Sequence, residues 1–143
     1  AEVEVDTETG EVTVVRLVSA TDAGKAINPQ LVEGQIEGGA VTGIGYALFE
    51  DYIVDGNGVP VTCRLSNYLV PTSLDVPDVE PLIVEVPEPT GPYGAKGIGE
   101  PASIPTAPAI LNAIYDAVGV RLTRLPVKPE DVLRLLQERA AQR

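Results

Sequence analysis

The chain has 143 residues, 44% of them hydrophobic, and a formal net charge of −11 with a pI near 4.3. This length and apolar share suit one globular domain spanning residues 1–143, while the acidity argues against nucleic acid, which calls for a basic face. No His and a single Cys63 exclude His-based triads and zinc sites, intrachain disulfides and iron–sulfur ligation within this chain.

The chain opens on Ala1 inside a strand pattern and contains no Met. We therefore expect an excised piece of a longer polypeptide or a matured product, without a signal or transit peptide. No apolar run approaches a membrane span, and the lone Cys fits a reducing, cytoplasmic setting. "EVEV" at residues 2–5 and residues 11–18 read as two strands joined by "DTETG". "TDAGKAINP" is a loop ending in a helix start, with Asn28 as cap and Pro29 in the first turn. A helix follows from Pro29 to Phe49, with Leu31, Ile36, Val41, Ile44 and Leu48 at helical spacing.

"DGNG" at 55–58 reads as a hairpin turn between strands "DYIV" and "VPVTCRL". Residues 70–81 are proline-rich and extended, and "LIVEV" at 82–86 is expected to be a short buried strand. Pro108 starts a helix whose Ile110, Ala113, Ile114, Ala117 and Val118 share a face and which Gly119 stops. "VRLTRL" reads as a short strand. Pro129, Glu130 and Asp131 open a last helix, "PEDVLRLLQERAAQ", with acids at its positive end and Arg139 at the other. Strands and helices cluster without strict alternation, which points to an α+β domain: mixed or antiparallel strands with about three helices.

Two stretches carry chemistry. "VEGQIEGGAVTGIGYAL" puts five glycines inside a predicted helix, each costing roughly 0.5–1 kcal/mol relative to Ala. Either neighbouring elements pack closely there, or a bulky cofactor lies against the helix. In the second case Gln35 offers both a donor and an acceptor to a polar heterocycle. Glu33 and Glu37 face solvent or a neighbouring cation.

"GPYGAKGIGEP", residues 91–101, is the second. "GIGEPA" formally matches G-x-G-x-x-A, but ten residues with three prolines separate it from "LIVEV", and Pro101 and Pro105 interrupt the helix that a pyrophosphate needs. The glycines can instead turn backbone N–H groups inward as an anion nest, with Lys96 adding charge. Glu100 is then an exposed carboxylate at a helix start, a partner of Lys96, or a general base at the mouth of the nest.

Taken together, "DAGKAINPQLVEGQIEGGAVTGIGYAL", "NYLVPTSLDVP", "PTGPYGAKGIGEPASIPTAPAILNAIYDAVG" and "RLPVKPEDVLRLL" resemble, in order, the C-terminal end of the molybdopterin-binding large subunit of the xanthine dehydrogenase/aldehyde oxidase family. The resemblance implies the C-terminal portion of a molybdenum-cofactor-binding domain. It also implies an oxidoreductase that hydroxylates a heterocycle or aldehyde carbon with oxygen from water. Glu100 matches the active-site glutamate, which takes the proton of a molybdenum-bound hydroxyl as hydride leaves to the sulfido ligand. Gln35 matches a glutamine that hydrogen-bonds the pterin. Ala95, Lys96, Gly97, Ile98 and Gly99 match the loop passing close to the cofactor. No residue here is implied as a metal ligand.

The implied cofactor is molybdopterin, with the cytosine dinucleotide form as one option, and iron–sulfur and FAD groups sit on partner domains or subunits. Thr42 stands where the family more often has Gln, and Tyr93 replaces a frequent Phe. The family's other cofactor-binding and substrate-selecting segments lie upstream. We therefore expect the isolated chain to be inactive and to bind the cofactor weakly or not at all, with self-association or disorder of residues 87–101 where its partners are missing. A non-catalytic assembly domain reusing the fold is the alternative.

Overall fold

Local chemistry sets most of the element ends. In the computed structural model, which describes residues 1–141, the order is β1 Glu2–Val5, β2 Val12–Asp22, α1 Pro29–Leu48, β3 Val79–Val84, α2 Thr106–Val118 and α3 Pro129–Ala141, with a 3-10 turn at Pro92–Gly94. The Asp6 carboxylate accepts the amides of Glu8 and Thr9 and so shapes the turn between β1 and β2. Asn28 caps α1 by accepting the Leu31 amide, with Pro29 in the first turn. Gly119 ends α2 in the left-handed conformation (φ 68°), its amide on the Tyr115 carbonyl. Gln142 lies outside the described residues.

The sheet is mixed, in the order β1-β2-β3. β1 runs antiparallel to the first half of β2, and a register shift between Glu2 and Val3 leaves a bulge opposite them. β3 runs parallel to the second half, from Leu17 opposite Val79 to Asp22 opposite Val84. A parallel neighbour needs a crossover, and α1 lies within it. The pairing also explains why β2 continues past Val18 to Asp22: its second half gains a ladder that no local pattern announces.

Three expectations are corrected. Residues 51–65 form the expected turn, with the Asp55 carboxylate accepting the amides of Asn57 and Val59, but its arms make a single backbone bridge, Val54–Pro60, rather than a strand ladder. The next ladder bond is not made because side chains take its groups: the Ile53 amide donates to Thr62 Oγ1 (2.7 Å) and the Val61 carbonyl accepts Asn67 Nδ2 (2.9 Å). "VRLTRL" is not a strand; Val120 and Leu122 are buried by packing alone. β3 begins at Val79 rather than 82 and is an edge strand with alternating half-buried and exposed residues, not a buried one. Its Pro81 suits an edge.

The main core lies between the sheet and the helices: Val14 and Leu17 from β2, Ala40, Ile44 and Ala47 from α1, Ile110 and Ile114 from α2, and Val132 from α3. The inward face of α1 is thus Val32, Ile36, Ala40, Gly43, Ile44 and Ala47, whereas Leu31, expected in that face, is 67% exposed. A second, smaller cluster joins Ala23, Ala26, Val32, Ile36 and Ala102, with Ile83 and Ile98 against it. The stretch expected to be disordered is tied to this side of the molecule. Lys25 N donates to Gly94 O (2.7 Å), Lys96 N to Ala23 O (3.0 Å) and Glu88 N to Gly94 O (3.0 Å).

Candidate active site

The glycine-rich loop, residues 91–101, crosses the open side of α1. Its approach to the 23–25 segment is close: Gly24 adopts φ 63°, and a side chain there would run into the Gly94 carbonyl and the Lys96 amide. The amides of Ala95 and Lys96 are held within the chain, on Pro92 O and Ala23 O. Beyond Lys96 the pattern changes. The backbone N–H groups of Gly97, Ile98, Gly99 and Glu100 find no acceptor among the described residues. At the far end, the amide and hydroxyl of Ser103 both donate to the Glu100 carbonyl (3.0 and 2.8 Å). Ala102 is 2% exposed in the small cluster, and its carbonyl accepts the Thr106 hydroxyl at 2.9 Å.

This construction brings the two residues of greatest interest together. Gln35, Thr42 and Tyr46 of α1, with Gly34, Gly38 and Gly39, form one wall of a cleft of about 590 Å³, and Gly99, Glu100, Ser103 and Ile104 form the other. Thr42 donates its hydroxyl to the Gly38 carbonyl (2.9 Å) and Ser103 is engaged as described. Three polar side chains of the cleft, the Gln35 amide, the Tyr46 phenol and the Glu100 carboxylate, are exposed and make no hydrogen bond among the described residues. Gln35 also lines a neighbouring cleft of about 370 Å³ with Ala95, Lys96 and Ile98. The loop is the partition between the two spaces.

The glycines answer the question their cost raised. A side chain on Gly43 would stand 2.9 Å from Thr106 Cγ2 and 3.0 Å from the Ser103 carbonyl, and one on Gly39 would stand 2.9 Å from Ala102 Cβ. These are close-packing glycines. Gly34, Gly38, Gly97 and Gly99 meet nothing within 4 Å. Their small size is not required by any neighbour among the described residues.

Charges are arranged around the loop rather than in the cleft. Lys96 does not pair with Glu100; its ammonium donates to Asp22 Oδ2 at 2.6 Å. That ammonium, followed by the Gly24 amide, holds the Asp22 carboxyl below its ordinary value. Glu85 accepts the Ala26 amide at 2.8 Å and the Lys25 ammonium at 3.2 Å, and its pKa is lowered for the same reasons. Glu33 and Glu37 are exposed as expected. Tyr93 has a left-handed backbone (φ 55°) and is 89% exposed; it is not part of the Glu100 cleft. Asp22 and Tyr46 escaped the sequence reading. The first lies at a strand end that only long-range pairing defines, and the second sits in the glycine helix on the same face as Gln35 and Thr42.

Another cleft of about 350 Å³, between the β1–β2 turn and the C-terminal end of α1, has Glu11 and Asp75 as its acids, and Asp75 is engaged by Thr72. Among the described residues no group of three His, Cys, Asp or Glu side chains is placed to hold a metal ion, and no helix is long and apolar enough to cross a membrane.

The cleft thus combines glycine walls, backbone N–H groups without acceptors among the described residues and an unpaired carboxylate. Comparison with known proteins gives the family: residues 1–77 match the model of the molybdopterin cofactor-binding domain, and the chain belongs to that family. It is 44% identical over 135 residues to the xanthine dehydrogenase molybdenum-binding subunit of Escherichia coli O157:H7, covering 94% of this chain and 18% of that protein. It is 40% identical over 139 residues to the 6-hydroxypseudooxynicotine dehydrogenase complex subunit gamma of Paenarthrobacter nicotinovorans, covering 95% of this chain and 18% of that subunit. Among solved structures, quinoline 2-oxidoreductase from Pseudomonas putida 86 superposes with a TM-score of 0.88 at 40% identity, over 95% of this chain and 18% of that one. The chain therefore spans about a fifth of the length of these relatives, and its α+β fold is theirs in this part.

Proposed function

We propose that this chain is one wall of a molybdenum hydroxylase site and that Glu100 is its general base. The observation that carries the reading is the meeting of Gln35 and an unpaired Glu100 in one glycine-walled cleft. The residues fit a molybdopterin group. Gly34, Gly38, Gly97 and Gly99 leave room on the cleft side, Gln35 can donate to and accept from a pterin ring, and the Gly97–Glu100 amides offer donors to its oxygens. Ala95 and Lys96 lead the backbone to that place, and Ile98 seats it on the small cluster. When bound, the cofactor supplies oxidative hydroxylation of a carbon, with oxygen from water.

What the chain itself supplies is a proton acceptor. An ionised carboxylate only accepts, and among the described residues no cation or donor holds the Glu100 side chain. Glu100 Oε is therefore free to take a proton from the attacking oxygen and later release it to water. Its backbone is fixed by Ser103, so the carboxylate is presented from a defined point.

The remainder of the polypeptide, iron–sulfur and FAD groups on other domains or subunits, and a heterocyclic or aldehyde substrate complete the proposal. So do the cytosine dinucleotide form of the cofactor as an option, cytoplasmic residence, and self-association of the segment when alone. The relatives' descriptions as a molybdenum-binding subunit and a complex subunit support a multi-part assembly. By itself the segment is expected to turn nothing over. The test is Glu100→Gln in the intact, molybdenum-loaded polypeptide. Turnover should fall by about 10²–10⁴ with molybdenum retained, the range for a lost general base. Near wild-type turnover with the metal still bound overturns the assignment and favours a non-catalytic assembly role.

A further inference from the structure

We propose that Asp22 is a positioning residue for this site: through Lys96 it holds one end of the free loop whose other end is Glu100. The role toward catalysis rests on Glu100 being the base; the role in holding the loop does not.

The two oxygens of Asp22 do different things. Oδ1 accepts the Gly24 amide (2.9 Å) and the Val86 amide (3.2 Å), which knits the end of β2 to the exit of β3. Oδ2 accepts Lys96 Nζ at 2.6 Å, across 74 residues of sequence. Lys96 is the last loop residue with a backbone bond to the rest of the chain before Glu100, whose carbonyl is held by Ser103. Between these posts lie Gly97, Ile98 and Gly99. Two glycines in three residues give the span more conformational freedom than other residues would. Where Glu100 points then depends on how firmly both ends are held.

Asp22 lines neither cleft beside the loop, so it acts at a distance: directly through the Lys96 side chain, and through Gly24, whose segment bonds the loop backbone at Gly94 and Lys96. The Lys96 side chain is 32% exposed, and its charge is already met by Asp22. It acts as a tether rather than as a free cation in the anion nest.

The division of labour at Asp22 gives a selective variant. In Asp22→Asn one amide oxygen remains and cannot serve both the two backbone amides and Lys96. In the intact, molybdenum-loaded polypeptide with its partners, kcat should fall about 10–100-fold, as when a supporting residue behind a site is lost. KM and molybdenum content should be little changed. Amide hydrogen exchange should quicken in peptides spanning residues 94–101 and not in α2 or α3. Lys96→Met, which leaves both Oδ1 contacts intact, should reproduce these effects and remains decisive if Asp22→Asn loses molybdenum. The double variant should be no slower than the worse single one, because both remove one tether.

Unchanged kcat and exchange in Lys96→Met, exchange quickened throughout α2 and α3, or losses that multiply in the double variant would each overturn the proposal. Glu100→Gln is measured alongside. If it keeps full turnover the base is misassigned, while the exchange data still decide whether Asp22 holds the loop.

Discussion

One face of α1 packs on the segment entering α2 and the other borders the cleft, and glycine occupies both for different reasons. Gly39 and Gly43 are small because Ala102, Ser103 and Thr106 leave no space for a side chain. Gly34 and Gly38 have open space before them, on a helix where each glycine lowers stability. The packed face is explained within the chain. The open face has no such explanation among the described residues; the proposed cofactor would supply one.

The largest expected effect is on the packed face. Gly43→Ala should destabilise the chain by about 1–3 kcal/mol, the cost of forcing extra atoms into a filled interior. Thr106 is 3% exposed and its hydroxyl is bound to the Ala102 carbonyl, so it has nowhere to withdraw. Urea unfolding checks this through the shift in midpoint at unchanged slope. No loss of stability would mean that α1 and the 102–106 segment can separate, and the contrast between faces would collapse.

Gly38→Ala should behave oppositely. With nothing within 4 Å, the added methyl meets no neighbour, and helix propensity alone should raise stability by up to about 1 kcal/mol. In the intact polypeptide the same methyl should lower molybdenum content or turnover, because it stands where the proposed cofactor approaches. A variant that is stabler and loads normally would leave the open face without a function.

How the sequence announced these faces depends on whether the cause is local. Asn28-Pro29, Gly119 and Pro129-Glu130-Asp131 mark helix ends by chemistry confined to a turn, and the observed ends agree. The phase of α1 was harder. Leu31 carries hydropathy but points outward, while Ala40, Gly43 and Ala47 face the core as small residues that hydropathy scarcely registers. Residues 51–65 and 120–125 have strand composition and lack a ladder, since a strand needs an edge to pair with. The parallel match of β3 to β2, and with it the end of β2 at Asp22, is a long-range fact. So is the Asp22–Lys96 pair. The glycines and Glu100 stood out by composition, yet their meeting with Gln35 was legible only through the family resemblance.

The smallest effect separates the two faces by pH. The packed face, where Gly39 and Gly43 meet Ala102, Ser103 and Thr106, carries no titrating side chain, whereas Asp22 and Glu85 anchor the segments that hold the loop. Both carboxyls have folded pKa values lowered, Asp22 chiefly by the Lys96 ammonium and Glu85 chiefly by the Ala26 amide. A lowered folded value means that the unfolded chain binds protons first as pH falls. Their contribution is therefore complete above the ordinary carboxylate range and is lost as pH drops through the lowered folded values. Both groups are open to solvent, so the change is local and modest. Between about pH 7 and about pH 3, exchange protection should fall in residues 22–27 and 93–97 while the buried faces of α1 and α2 keep theirs. Glu85→Gln, which retains an oxygen for the Ala26 amide but loses the charge toward Lys25, should remove part of that dependence near residues 25–27. Equal loss of protection on both faces would show that acid acts on the whole fold, and that the loop has no anchoring of its own.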